Sequence, residues 1–122
     1  MRCIFCKIVA GKTAGDILYQ DETITAFRDI RPQAPTHILI VPNDHITSMK
    51  QLCEIGDCLL ARMISTAHQL AETAGIADRG YRLVVNTGPE AGQIIEHMHL
   101  HLLGGKPMRL EGMAQRFKDD MK

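Results

Sequence analysis

The chain has 122 residues, 45 % apolar and 23 % charged, with 14 basic residues balanced by 14 acidic ones. That size and mix describe a single globular domain over residues 1–122 and exclude a disulfide-stapled miniprotein. A formal net charge of zero offers no field for nucleic acid, and no apolar run approaches the ~18–20 residues that cross a bilayer.

The first residues, Met1 to Lys7, lack the pattern of a secretory signal, so a cytoplasmic protein is expected, with neither nucleic acid nor membrane as partner. In that setting four cysteines are thiols or metal ligands rather than disulfides. Residues 3–10 predict a short helical turn ended by Gly11. Residues 17–20 and 23–28 are β-rich around Asp21-Glu22, which predicts a hairpin. Pro32 and Pro35 mark a loop, and His37 to Val41 is an apolar run stopped by Pro42, the pattern of a central strand.

A long helix is predicted over about residues 54–74, because Leu59, Leu60, Met63, Ile64, Ala67, Leu70, Ala71 and Ala74 recur on one face. Arg62, Thr66, Gln69, Glu72 and Thr73 fill the other face, and Gly75 is a natural stop. Cys53 and Cys58, near the helix start, are expected to be packing residues, and His68 a surface residue. Strands follow at 81–86 and at about 95–103, separated by a glycine-containing turn from Thr87 to Gly92. Five strands and one long helix make an α+β fold with a mostly antiparallel sheet. The tail, about 107–122, reads as irregular.

The segment His97-Met98-His99-Leu100-His101-Leu102-Leu103 carries the chemistry. Alternation along a strand puts the three imidazoles on one face, ~6.6 Å apart at 3.3 Å per residue, and Met98, Leu100 and Leu102 on the other. Such a row suits nucleophilic attack with acid assistance, because an imidazole is largely neutral near pH 7. It also suits metal ligation, or it is simply a polar sheet face.

The pattern His-φ-His-φ-His-φ-φ, with φ apolar, resembles the signature of the histidine triad family, and His97 to Leu103 matches every position. The resemblance spans nearly the whole chain. Ile4 to Ile8, Ala26 to Ile30, Pro32 to His37, Gly80-Tyr81-Arg82 with Asn86, Ala91-Gly92-Gln93 and Leu103-Gly104-Gly105 are similar to the Hint branch. That branch is best known as purine nucleoside phosphoramidases, and a sister branch cleaves dinucleoside polyphosphates.

The resemblance implies a nucleotide hydrolase acting on AMP or GMP derivatives, with His99 as nucleophile and His101 at the phosphate and leaving group. It implies that Gly92 and Gln93 hold phosphate oxygens and that Asn86 reaches the phosphate or leaving group. Asp29 would accept from the ribose hydroxyls, and Phe27 and Ile30 would wall the base pocket. His37, at the start of a strand, is expected to support the triad from behind. A homodimer through the long helix and a strand is also implied, and no catalytic metal is. Two alternatives are a dinucleoside polyphosphate hydrolase and a nucleotide-binding scaffold with little turnover. The sequence departs from the branch at Ile94, which replaces a common serine whose hydroxyl touches the phosphate or leaving group, and at Glu96, where an aromatic is frequent.

Cys3-x-x-Cys6 supplies two thiols at a spacing that suits one tetrahedral zinc, with two further ligands needed. His45 and His97 are the candidates. Free thiols or a redox pair are the other readings, although no strand precedes the motif as it would in a thioredoxin-like site. Family members with this opening take the first triad histidine as fourth ligand, which implies a closed, structural Cys2His2 zinc site.

Overall fold

A computed structural model describes residues 3–108. Its elements are α1 (Ile4–Val9), β1 (Ile17–Gln20), β2 (Ile24–Arg28), β3 (Thr36–Pro42), α2 (Met49–Ile55), α3 (Asp57–Thr73), β4 (Tyr81–Val85), a 3-10 turn (Pro89–Ala91) and β5 (Leu100–Gly104). The strands form one antiparallel sheet in the order β1-β2-β3-β5-β4, so the α+β class holds. The tail after residue 108 lies outside the described residues.

Register decides which residues share a face. Ile38 pairs with Leu102 and Leu39 with His101. Ile24, Ala26, Ile38, Ile40, Leu100 and Leu102 therefore point to one side, where they form the main core with Met63, Ala67 and Ala71 of α3. On the other side Phe27, Leu39 and Val41 pack under Phe5 and Ile8 of α1. The histidines emerge on this second face.

Three predictions about elements need correction. The long helix is α3 and starts at Asp57 rather than near 54, and a separate helix, α2, which the sequence reading lacked, precedes it across Gly56. At φ 126° and ψ 168° this residue holds a conformation that a side chain makes costly, so one continuous helix cannot form through it. Second, the buried face of α3 takes in Thr66 and leaves Ile64 and Ala74 exposed. Third, Cys53 and Cys58 are exposed and do not pack.

Candidate active site and metal-ligand cluster

The last strand starts at Leu100, not near residue 95, so His97 and His99 precede the ladder and only His101 belongs to it. The reason lies in the partner strand. Pro42 has no N–H, and its carbonyl accepts from His97 Nε2 at 2.8 Å. Met98 N–H turns instead to the carbonyl of Ile46 at 2.6 Å. Alternation nevertheless persists through this stretch. Met98 enters the main core while His97 and His99 face α1.

Each histidine has its own setting, which assigns the tautomers. His97 is fully buried and donates from Nε2, so Nδ1 carries its lone pair. His99 donates from Nδ1 to the carbonyl of His97 at 2.7 Å, which leaves Nε2 as the basic atom. The Phe5 ring meets His99 edge-on at 5.2 Å and His97 at 5.8 Å, filling the space behind both. The His99 and His101 rings lie 4.9 Å apart. His101 Nδ1 faces His37 Nε2 at 2.9 Å, and His101 Nε2 is buried without a partner among the described residues.

Burial disfavours the imidazolium forms. It pushes His101 down to about 4, assisted by the neighbouring His99 and His37. Burial also lowers His37, against the opposing pull of Asp29, and lowers His97, against its bond to the Pro42 carbonyl. A neutral His101 with an unpartnered Nε2–H is a hydrogen-bond donor awaiting an acceptor, as a phosphoryl oxygen would be.

The second cluster lies at the other end of His97. Its Nδ1 is 3.4 Å from Cys3 Sγ and 3.5 Å from Cys6 Sγ, and His45 Nδ1 is 3.3 Å from Cys6 Sγ. All four atoms lie within 4.8 Å of one another. Metal bonds near 2.3 Å to sulfur and 2.0 Å to nitrogen give a tetrahedral S···N edge of about 3.5 Å. The observed spacings fit that edge, and two thiols with two imidazoles are a common structural zinc set. These four residues could hold a metal. Burial and the neighbouring Cys3 raise the Cys6 thiol, as expected for two sulfurs brought together.

The remaining predicted site residues have varied settings. Asp29 is half-buried, accepts from Arg31 N–H at 2.8 Å, and has its other oxygen 3.4 Å from His37 Nε2. Phe27 sits inside the α1 cluster with its ring 5.3 Å from Phe5, while Ile30 stands 89 % exposed. Asn86 is half-buried just past β4. Gly92, at φ 88°, is left-handed and ends the 3-10 turn. The side-chain amide of Gln93 is already engaged. It accepts from Gly88 N–H at 2.8 Å and donates to the carbonyls of Thr47 at 2.8 Å and Ile95 at 3.1 Å.

Sequence reasoning missed the backbone groups that set the rings: the Pro42 and His97 carbonyls and the Gln33 N–H that donates to His37 Nδ1 at 3.1 Å. It also missed Thr47 as the anchor of Gln93. No residue type signals a backbone contact in advance.

The HIT domain family model matches residues 10–108. The chain belongs to the HIT family. It is 50% identical over 105 residues to the purine nucleoside phosphoramidase of Escherichia coli (strain K12), covering 86% of this chain and 88% of that protein. A crystal structure of a HIT family hydrolase from Legionella pneumophila Philadelphia 1 superimposes with a TM-score of 0.86 at 44% identity, covering 90% of this chain and 98% of that one. The 14 kDa zinc-binding protein of Zea mays is 43% identical over 107 residues, covering 86% of this chain and 83% of that protein.

This chain is therefore a HIT-family hydrolase. Among its described residues no helix is long and apolar enough to cross a membrane. Ile94 is 91 % exposed between the pinned Gln93 and Ile95, which packs against the α1 cluster.

Proposed function

We propose that this HIT hydrolase cleaves the bond between the α-phosphorus and the leaving group in purine nucleoside 5′-phosphoramidates or related AMP and GMP derivatives. The observation that carries the reading is the His99 tautomer. With Nδ1–H held by the His97 carbonyl, the lone pair sits on Nε2, the atom that must attack phosphorus.

In the first step His99 Nε2 bonds to phosphorus and the bond to the leaving amine breaks. In the second, water attacks phosphorus and the bond to Nε2 breaks. Over both steps one water is consumed, its hydroxyl ending on phosphorus and its other proton on the amine. His101 Nε2–H donates to a phosphoryl oxygen or to the leaving group, where charge develops. Asp29 accepts from ribose hydroxyls, Phe27 and Ile30 border the base, and Asn86 reaches the phosphate or the leaving group. Gly92 shapes the turn beside the phosphate, its own N–H being donated to the Pro89 carbonyl at 3.1 Å, and Gln93 holds that loop in place.

Cys3, Cys6, His45 and His97 would hold a structural zinc, which would pin α1, and with it Phe5, against the histidines. The acting unit is a homodimer in the cytoplasm, with α3 and β4 at the interface. β4 supports this as an edge strand whose five residues are each half-buried.

Intact mass spectrometry after an acid-free quench tests the chemistry. With an adenosine phosphoramidate, the wild-type chain gains the mass of one nucleoside monophosphate and releases AMP, and His99→Ala does neither. Nucleotide binding without adduct and without AMP refutes the hydrolytic reading. Light scattering at micromolar protein tests the dimer.

A further inference from the structure

Asp29 and His37 are cross-strand neighbours. The pairing of Arg28 with Ile38 extends one step further, and Asp29 N–H donates to the His37 carbonyl at 3.0 Å. Paired residues share a face, so carboxylate and imidazole emerge side by side. His37 is also the diagonal neighbour of His101, because His101 pairs with Leu39 on the next strand. Asp29, His37 and His101 thus place one ligand-type atom each within 4.8 Å of the others.

The hydrogen bonds give this line a direction. Gln33 N–H donates to His37 Nδ1, so the neutral His37 ring carries its proton on Nε2. That N–H faces His101 Nδ1 at 2.9 Å and Asp29 Oδ2 at 3.4 Å. His101 therefore accepts at Nδ1 and keeps its own proton on Nε2, the buried atom without a partner. Arg31 N–H fixes the other oxygen of Asp29, which keeps Oδ2 turned toward His37. His99 is the one further titratable ring packed against His101 among the described residues.

We propose that Asp29 has a second role beyond ribose: acting through His37, it positions His101 with Nε2–H aimed at the phosphoryl group. Asp29 is here a positioning residue. The carboxylate holds the Nε2 edge of His37 in place, which keeps His101 in one tautomer. It also offsets any positive charge shared by the imidazole pair, a direction visible in its upward pull on both rings. The proposal rests on the reading of His101 as the phosphate donor. One carboxylate then serves both ends of the substrate, so sugar recognition and phosphoryl chemistry share a residue.

A substrate without ribose hydroxyls separates the two roles. Wild type, Asp29→Asn, Asp29→Ala and His37→Leu are compared on adenosine 5′-phosphoramidate and its 2′,3′-dideoxy analogue. The positioning role predicts that Asp29→Ala lowers kcat on the dideoxy substrate about ten-fold or more, with KM changed less than about two-fold. In the His37→Leu background the same change adds less than about two-fold, because the relay is already cut. Asp29→Asn keeps an oxygen able to accept and falls between.

Nitrogen-15 NMR of the histidine rings in the free protein supplies a readout independent of turnover. Asp29→Ala moves the His101 ring nitrogens from a single tautomer toward the averaged values of a mixture. The proposal is overturned if kcat on the dideoxy substrate is unchanged in Asp29→Ala and the His101 nitrogens do not move. If wild type turns over neither substrate, the hydrolase reading has failed, and the NMR result alone decides the positioning role.

Discussion

Gln93 is the residue whose structural role differs most from its sequence expectation. Its amide makes three hydrogen bonds, to Gly88 N–H, the Thr47 carbonyl and the Ile95 carbonyl. Truncation to alanine removes all three. Each contributes about 1 kcal/mol net, and because the site is only part-buried, water takes over some of the freed groups, leaving about 2 kcal/mol. That energy holds a loop rather than the core, so it reads as about thirty-fold faster amide exchange over residues 86–96, at 1.4 kcal/mol per factor of ten.

Gln93→Glu sharpens the test. A carboxylate still accepts from Gly88, but its other oxygen then faces the Thr47 and Ile95 carbonyls, turning two attractions into repulsions. The loop should loosen at least as much as in the alanine variant. Hydrogen exchange followed by mass spectrometry, without nucleotide, makes the measurement. Wild-type exchange in both variants, together with lost nucleotide binding, would refute the pin and restore the amide as a direct phosphate ligand.

Metal removal should act on α1, which has six residues and is too short to hold itself. Stripping with a chelator should lower Tm by about 5 °C or more, and elemental analysis should find one zinc per chain before treatment. A metal-free chain with an unchanged melt would contradict the site. Acid should weaken the fold well before the carboxylates titrate. Burial holds His101 near 4 and lowers His37 in the fold, so the unfolded chain takes up protons first, from about pH 6.5 downward, and stability is full above about 6.5 and falls toward 4. Urea midpoints at about pH 7.5 and about pH 5 check the sign, and a midpoint that rises on acidification contradicts it. Ile94→Ser should leave Tm unchanged, since the side chain is 91 % exposed, and raise kcat/KM for poor amine leaving groups about ten-fold, the effect of one hydrogen bond. Equal gains on good and poor leaving groups would show that the hydroxyl acts elsewhere.

Much of this arrangement was legible in the sequence because it rests on alternation. Met98, Leu100 and Leu102 reach the core while His97, His99 and His101 oppose them, as a period of two requires. The Cys3 and Cys6 pair was readable from donor type and spacing, whereas His45 and His97 were candidates and the resemblance implied His97, and the structure brings all four together. His37 was legible only as a neighbour of the triad, since its bond to His101 depends on the β3–β5 register. The helix break was hidden because Gly56 interrupts an otherwise helical pattern, and the left-handed φ that forbids continuation is a property of the folded chain. The late start of β5 depends on Pro42, which lies 55 residues before His97. The resemblance implied a place for Phe27 at the base pocket, and its ring packs with Phe5.

The alternation from His97 to Leu102 has a consequence for how this chain can change. Substitution at any one position disturbs one contact. Deleting or inserting a single residue between His97 and Leu102 would transpose the two faces, sending an imidazole into the α3 core and a leucine toward the substrate. Both the hydrophobic anchor and the chemistry would fail together. The segment therefore tolerates new side chains but not a new length, and any natural or engineered variant that works should carry its indels elsewhere.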